Sequence, residues 1–179
     1  KEADKGNIVP TSSTTVQLVL GDAIAITCMR YNNFGNLDFK KFHPGGSLSI
    51  KLKTVSDLMI TGNKIPFVKE NISVNDAIKV LTKKGLGVII IKKNNTTKGI
   101  LTDGDLKRLN RKFENFQTLK IKNVMKKDPF SIDKDTLAAK ALSIMNAKKI
   151  TSLCVHSKKQ KNKTIGIIHI HNILEANIS

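Results

Sequence analysis

His43 is the residue of this sequence whose surroundings best suit proton transfer. It stands in the stretch Phe42–Leu48, FHPGGSL, directly before a proline and two glycines. Pro44 fixes one backbone dihedral, and Gly45 and Gly46 let the backbone approach a bound molecule closely. An imidazole with an unperturbed pKa of about 6.5 can both accept and donate a proton near neutrality. Position 43 is therefore either a positioned proton carrier or an ordinary histidine on a surface turn.

The remaining histidines, at positions 156, 169 and 171, do not form a recognisable metal site. His169 and His171 share a face if their stretch is extended, but no cysteine or carboxylate cluster accompanies them at ligand spacing. Cys28 and Cys154 lie far apart in apolar runs, so we expect two buried free thiols, which suits a reducing compartment. The sequence thus predicts a cytoplasmic protein with no bound metal and no cofactor.

The elements that position such groups come from an internal repeat. Val55–Met59 returns as Ile121–Met125, and further segments recur 64 to 67 residues later. Small differences between these sequence offsets are typical of a duplication followed by insertions and deletions in loops. Each copy has the pattern strand, helix, strand, strand, helix. These elements are predicted at residues 65–68, 74–81, 86–91, 99–101 and 103–110, and then near residue 132 and at 136–148, 152–156, 165–168 and 170–176, with 111–120 as a polar linker.

The repeat resembles a tandem pair of cystathionine-β-synthase-type (CBS) domains, from about Val55 to the C-terminus. The segment Gly99–Asp105, GILTDGD, is similar to that family's motif Gly-hydrophobic-x-Ser/Thr-x-x-Asp. In the family the hydroxyl residue and the aspartate contact the phosphate and the ribose of a nucleotide, which implies these roles for Thr102 and Asp105. A helix start offers N–H groups to phosphate, and a carboxylate can accept hydroxyl groups. The same two residues also form a capping box that needs no ligand, so both interpretations stay open.

The second copy departs from that motif. Its equivalent segment, Gly166–Asn172, has His169 and Asn172 where the motif has a hydroxyl and a carboxylate. A hydrogen bond to a charged group contributes about 1.5–3 kcal/mol, against about 0.5–1.5 kcal/mol for a neutral pair. Asn172 would therefore weaken ribose recognition by about tenfold. We expect Thr102 and Asp105 to be the stronger nucleotide contacts, and Thr151 and Asn172 the weaker ones.

The first 53 residues lie outside the repeat. They contain PTSSTT at 10–15, LGDA at 20–23 within an apolar helix predicted over 16–31, and HPGG at 43–46. This order is similar to the end of the sugar isomerase (SIS) domain in D-arabinose-5-phosphate isomerases, where it precedes a CBS pair. The resemblance implies an α/β (α+β) chain: the C-terminal remnant of a doubly wound SIS domain at 1–53, a CBS domain at 54–114 and a second CBS domain at 115–179.

This resemblance implies an aldose–ketose isomerase that interconverts D-ribulose 5-phosphate and D-arabinose 5-phosphate for Kdo and lipopolysaccharide synthesis. His43 corresponds to the family's HPGG histidine, which is catalytic and serves a neighbouring subunit's site. Ser12, Ser13 and Thr14 are candidate sugar contacts or simply helix caps. The family's phosphate-binding loop, lysine and glutamates precede Lys1, so the chain is expected to be part of a longer enzyme and inactive alone. The alternative is a non-enzymatic CBS pair that senses nucleotides.

Composition narrows the partners of the chain. The net charge of +17 would suit binding to nucleic acid. However, the lysines are scattered in turns, and the absence of Trp with a single Tyr leaves few surfaces on which bases could stack, so nucleic acid is not expected as the partner. The longest apolar stretch, Val16–Met29, is interrupted by polar residues, so we expect it to be too short and too polar to span a bilayer. The expected partners are therefore a sugar phosphate substrate, an adenine nucleotide or a cytidine-linked regulator, and further copies of the chain in a homo-oligomer.

Overall fold

The computed structural model describes residues 1–42 and 45–178, with residues 47 and 48 described by their backbone only. The chain forms two compact units, Lys1–Ser49 and Ile50–Ser179. The first unit contains helices α1 (Ser12–Tyr31) and α2 (Asn36–Phe42). Helix α3 (Gly46–Lys51) includes residues of both units, because the boundary in the sequence falls after Ser49.

Helix α1 starts four residues before the predicted position because the hydroxyl residues join its first turn. The hydroxyls of Thr14 and Thr15 donate to the carbonyl of Thr11, at 2.8 and 3.0 Å. No residue of this helix is buried, and its apolar residues are exposed all round. By length and composition α1 is able to cross a membrane, which corrects the expectation that this stretch is too short and too polar. A helix from the core of a globular protein meets the same test.

The two cysteines differ in their surroundings. Cys154 is buried as expected, and burial raises the pKa of its thiol to about 11. Cys28 lies on α1 and is exposed, so the prediction of a buried thiol is wrong at that position. The apolar run around Cys28 suggested a core, but no residue of this helix is buried.

The second unit contains two four-stranded sheets, one based on each copy of the repeat. The first has the order β2-β3-β4-β5 and the second the order β1-β8-β7-β6. In each sheet one pair is parallel, β2 with β3 and β6 with β7, and the other pairs are antiparallel. In chain order the elements are α4 (Val55–Leu58), β1 (Ile60–Thr61), β2 (Phe67–Lys69), α5 (Val74–Lys84), β3 (Val88–Lys93), β4 (Thr96–Thr102), α6 (Asp103–Lys112), β5 (Lys126–Lys127), β6 (Ser131–Asp133), α7 (Ala138–Lys148), β7 (Ser152–His156), β8 (Gly166–His169) and α8 (Ile170–Glu175), with short 3-10 turns at 62–64, 116–118 and 121–123.

The two copies exchange their first strands. β1 belongs to the first copy but pairs with β8 of the second, and β5 belongs to the second copy but pairs with β4 of the first. Backbone hydrogen bonds extend the exchange, because the N–H of Val55 donates to Thr136 and the N–H of Ile121 donates to Ile72, at 2.8 and 3.0 Å. Neither sheet can therefore be completed by one copy alone.

The contact between the copies follows the repeat spacing. Thr97 and Thr164 are 67 positions apart, and their hydroxyls lie 2.7 Å from each other. Behind them, Ile90 of β3, Cys154 of β7 and Ile167 of β8 pack in one buried cluster. The continuous apolar run predicted for β3 is thus explained, since Ile89 and Ile91 face a separate cluster on the other side of the sheet. The stretch 111–120, predicted to be only a polar linker, also contributes the buried side chain of Phe116.

Helix starts at equivalent positions of the two copies are capped by different chemistry. At α6 the hydroxyl of Thr102 accepts from the N–H of Asp105 at 3.3 Å. At α8 the ring Nδ1 of His169 accepts from the N–H of His171 at 3.2 Å, and the Asn172 side chain accepts from the N–H of His169. A histidine in this role must keep Nδ1 free of a proton. Burial, together with the nearby charge of His171, lowers the pKa of His169.

Replacing Gly99 by alanine should destabilise the second unit by about 2 kcal/mol, because the new Cβ has no room. It would lie 2.6 Å from the carbonyl oxygen of Lys126 and 2.7 Å from the sulfur of Met125, so β4 and β5 would be pushed apart. Chemical denaturation followed by circular dichroism measures the loss. Gly104→Ala is the matched control, because its nearest neighbour atom lies 3.5 Å away. Equal stabilities for the two variants would contradict the packing argument.

Replacing His169 by threonine should make the free energy of unfolding less dependent on pH between 7.5 and 5.5. The folded-state pKa of His169 is lowered, so its contribution to stability is complete above about pH 6.5 and decreases as the pH falls below that value. The side chain is partly exposed, so solvent screening should keep the difference small. Urea titrations at both pH values measure it. An unchanged pH dependence in His169→Thr would show that the imidazole is not the titrating group.

Candidate nucleotide-binding cleft

A cleft of about 680 Å³ opens in the second unit where the two copies meet. One wall comes from the first copy, at the start of α6 and the turn between α5 and β3. The opposite wall comes from the second copy, at β5 and the turn that follows it and at the end of α7. The polar and charged side chains on its surface are Thr102, Asp103, Asp105, Arg108, Lys126, Lys127, Asp128, Lys149, Thr151, Ser152, His169 and His171.

Thr102 and Asp105 form the capping box that the sequence predicted, and both line the cleft. The carboxylate oxygen Oδ2 of Asp105 accepts from the N–H of Thr102 at 3.0 Å and from its hydroxyl at 2.6 Å. The helix cap and the cleft wall are therefore the same pair of residues. Both sequence interpretations, the cap and the ligand contact, are compatible with this geometry.

The other oxygen of Asp105 is held by two cations. Its Oδ1 lies 2.5 Å from Nη2 of Arg108, one turn further along α6, and 2.8 Å from Nζ of Lys126 on β5. Burial of this carboxyl would raise its pKa, but hydrogen bonds from Lys126, Thr102 and Arg108 outweigh burial and lower the pKa of Asp105 to about 2. Asp105 is therefore ionised at every physiological pH.

Sequence reasoning missed Arg108, Lys126 and Lys149, which surround the same cleft. Lys149 had a readable signal, because it stands 64 positions after Gly85. Gly85 ends α5 with a φ of 65°, and Lys149 ends α7 with a φ of 53°, a conformation that favours glycine. The repeat therefore places Lys149 where the first copy has a glycine, at the edge of the cleft. Lys126 gave no such signal, because its contact with Asp105 depends on the exchange of β5.

Of the two candidate nucleotide contacts in the second copy, Thr151 lines the cleft and Asn172 does not. Thr151 lies on its wall, and the carbonyl of Thr151 accepts from the N–H of Ile170 at 2.8 Å. Asn172 is not among the residues that line this cleft, and its side-chain oxygen accepts from the N–H of His169 at 3.3 Å. The structure thus brings Thr102, Asp105 and Thr151 to one cavity and places Asn172 in the cap of α8.

The candidate residues of the sugar isomerase segment lie in the first unit. Ser12, Ser13 and Thr14 are exposed in the first turn of α1. The start of this helix is capped by the Glu2 carboxylate, which accepts from the N–H groups of Thr11 and Ser13 at 2.6 and 3.3 Å. The hydrogen bonds from Ser13 and Thr11 lower the pKa of Glu2 to about 2. His43 lies outside the residues that the structure describes.

The histidines of the second unit do not gather with other ligands. The rings of His169 and His171 are 4.9 Å apart at the cleft. Within residues 1–42 and 45–178, no group of three or more His, Cys, Asp or Glu side chains is placed to hold a metal ion. The cleft instead combines several cationic side chains with the Asp105 carboxylate and the N-terminal end of α6.

Curated relatives match the chain over nearly its whole length. Arabinose 5-phosphate isomerase KdsD of Francisella tularensis subsp. tularensis is 42% identical over 177 residues, which are 98% of this chain and 53% of that protein. KdsD of Escherichia coli K12 is 38% identical over 180 residues, which are 99% of this chain and 54% of that protein. The chain therefore spans about half the length of these relatives. The predicted resemblance to arabinose-5-phosphate isomerases is confirmed.

Solved structures match more than two thirds of the chain. The crystal structure of CBSX2 in complex with AMP is 26% identical, with a TM-score of 0.60, and covers 69% of this chain and 95% of that chain. The CBS-domain containing protein ATU1752 from Agrobacterium tumefaciens is 18% identical, with a TM-score of 0.62, and covers 70% of this chain and 93% of that chain. The second of these supports the fold alone.

The CBS domain family itself matches twice, at residues 55–112 and 121–179. These ranges coincide with the two copies of the internal repeat and cover well over half of the chain. The predicted mixed α/β fold with a tandem CBS pair is therefore confirmed, and the chain belongs to the CBS domain family.

Proposed function

We propose that this chain is the C-terminal part of an enzyme that interconverts D-ribulose 5-phosphate and D-arabinose 5-phosphate. The observation that carries the proposal is the match to KdsD proteins, at 38 to 42% identity over nearly all of the chain. The match extends through the first 50 residues, which the CBS family does not cover. Kdo and lipopolysaccharide synthesis in the cytoplasm is the corresponding pathway.

The surface of α1 supports a larger first domain. Val16, Leu20 and Ile24 are 56 to 64% exposed, and no residue of the helix is buried. A helix that is apolar all round is stable in water only when other elements cover it. Residues 1–53 are accordingly proposed to be the end of a sugar isomerase domain, with the covering elements contributed by further polypeptide.

His43 is the catalytic residue of the proposal. Isomerisation moves a proton between adjacent carbons of the open-chain sugar through an enediol, and an imidazole can accept and return that proton near neutral pH. The sequence that follows, Pro44, Gly45 and Gly46, is proposed to let the backbone approach the substrate closely, and Ser12, Ser13 and Thr14 are proposed sugar contacts. The site is proposed to be shared between subunits of a homo-oligomer.

The cleft between the CBS copies is proposed to bind a regulatory nucleotide. Thr102 and the start of α6 would receive the phosphate, and Asp105 would receive the ribose hydroxyls. Thr151 lies on the wall from the second copy, and Asn172 would act through the cap of α8. The AMP complex of CBSX2 supports an adenine nucleotide, and a cytidine-linked sugar is the alternative that pathway feedback would use.

A second candidate function is a nucleotide sensor without catalysis. It is favoured by one observation: the second unit is a compact unit of its own and carries both CBS matches and the whole cleft. The two candidates share the cleft and differ in His43. Isomerase assays therefore separate them.

In an enzyme that contains this chain as its C-terminal half, His43→Ala should lower kcat by at least about 100-fold, because general acid–base catalysis contributes about 10²–10⁴-fold. The assay follows conversion of D-arabinose 5-phosphate to D-ribulose 5-phosphate, with Lys158→Ala in an exposed loop as the control. The 179-residue chain alone should show no turnover in the same assay. Full activity in His43→Ala, or turnover by the isolated chain, would contradict the catalytic proposal.

AMP should bind to the 179-residue chain, and Asp105→Asn should weaken its binding by about tenfold, because a neutral amide replaces a charged acceptor. Titration calorimetry with AMP, ATP and CMP measures the affinities. Asp76→Asn is the control, because the Asp76 carboxylate likewise accepts from the N-cap hydroxyl, that of Ser73, at the start of α5, outside the cleft. If Asp105→Asn loses stability but keeps full affinity, the residue is only a helix cap.

A further inference from the structure

The carboxylate of Asp105 has no acceptor position left for a ligand. A carboxylate offers about four acceptor positions. The N–H and hydroxyl of Thr102 use Oδ2, at 3.0 and 2.6 Å, and Arg108 and Lys126 use Oδ1, at 2.5 and 2.8 Å. A ribose can therefore reach Asp105 only if one of these donors leaves.

The two cations are the donors that can leave. The Thr102 bonds belong to the cap of α6, so losing them would fray the helix. Arg108 and Lys126 are 63% and 61% exposed, and both side chains can return to water. The carboxylate itself is only 7% exposed, so it needs charged or hydrogen-bonding neighbours at all times.

Displacement has a cost that depends on the ligand. Neutral ribose hydroxyls are weaker partners for a buried carboxylate than two cations, so a nucleoside loses part of its binding energy to the exchange. A phosphate offers the displaced cations a new partner within the same cleft, where Lys127 and Lys149 add further positive charge. The interactions that the cations gain with the phosphate then nearly offset those that they lose with Asp105.

We infer that Arg108 and Lys126 form a latch on Asp105 that makes the cleft select phosphorylated ligands and reject the corresponding nucleosides. This inference rests on the proposed binding of a nucleotide in the cleft. The latch also joins the two copies, because Arg108 lies on α6 of the first copy and Lys126 lies on the exchanged strand β5 of the second. Ligand binding would release Lys126 from the first copy and transfer it to the phosphate.

Lys126→Met tests the latch, since it removes one cation from Asp105 and preserves side-chain length. Titration calorimetry on the 179-residue chain compares AMP with adenosine. For the unaltered chain we expect AMP to bind at least tenfold tighter than adenosine. For Lys126→Met we expect adenosine to bind about threefold tighter and AMP about threefold weaker, so the preference falls by about tenfold.

Lys127→Met is the matched control, because Lys127 is the neighbouring lysine on the same cleft, and the ion pairs of Asp105 are with Arg108 and Lys126. It should weaken AMP without improving adenosine. Adenosine binding that is unchanged, weaker or unmeasurable in Lys126→Met, while AMP binds the unaltered chain, would overturn the latch and leave nucleotide binding standing. If neither AMP nor adenosine binds the unaltered chain, nucleotide binding and the latch both fail.

Discussion

The exchange of first strands between the two copies is the constraint on which the second unit depends. β1 completes the sheet of the second copy, and β5 completes the sheet of the first. Each exchanged strand runs beside a glycine, and a methionine fills the space that a Cβ would take: Met125 beside Gly99 and Met59 beside Gly166. The repeated glycines of the sequence are thus explained by close approach of a backbone from the other copy.

The same exchange creates the cleft and its electrostatics. It brings Lys126 within 2.8 Å of a carboxylate that is nearly removed from water. Without the two cations and the Thr102 cap, burial would favour the protonated acid, and with them the pKa of Asp105 falls to about 2. The cleft therefore presents a fixed negative centre surrounded by cations that can change partners, an arrangement suited to a ligand with both hydroxyl and phosphate groups.

The first unit differs from the second because its long helix is exposed rather than packed into a core. Its long helix is apolar on all sides, and among the described residues none of its own is buried. The hydrophobic pattern predicted this helix but not what surrounds it, because an apolar helix has the same sequence pattern whether it lies in a protein core or in a bilayer. The wrong prediction for Cys28 has the same origin, since an apolar neighbourhood in sequence does not guarantee cover in space.

The sequence by itself determined the repeat, the order strand, helix, strand, strand, helix that follows the exchanged strand in each copy, and the cap of α6 by Thr102, because these follow from local spacing and from backbone chemistry within a few residues. It also determined the family through motifs such as Gly99–Asp105. The tertiary structure alone decided that Asp105 meets Lys126 and that Thr151 shares a cleft with Thr102. Those outcomes depend on which strand completes which sheet, and contacts between residues far apart in the chain leave no local pattern from which they could be read.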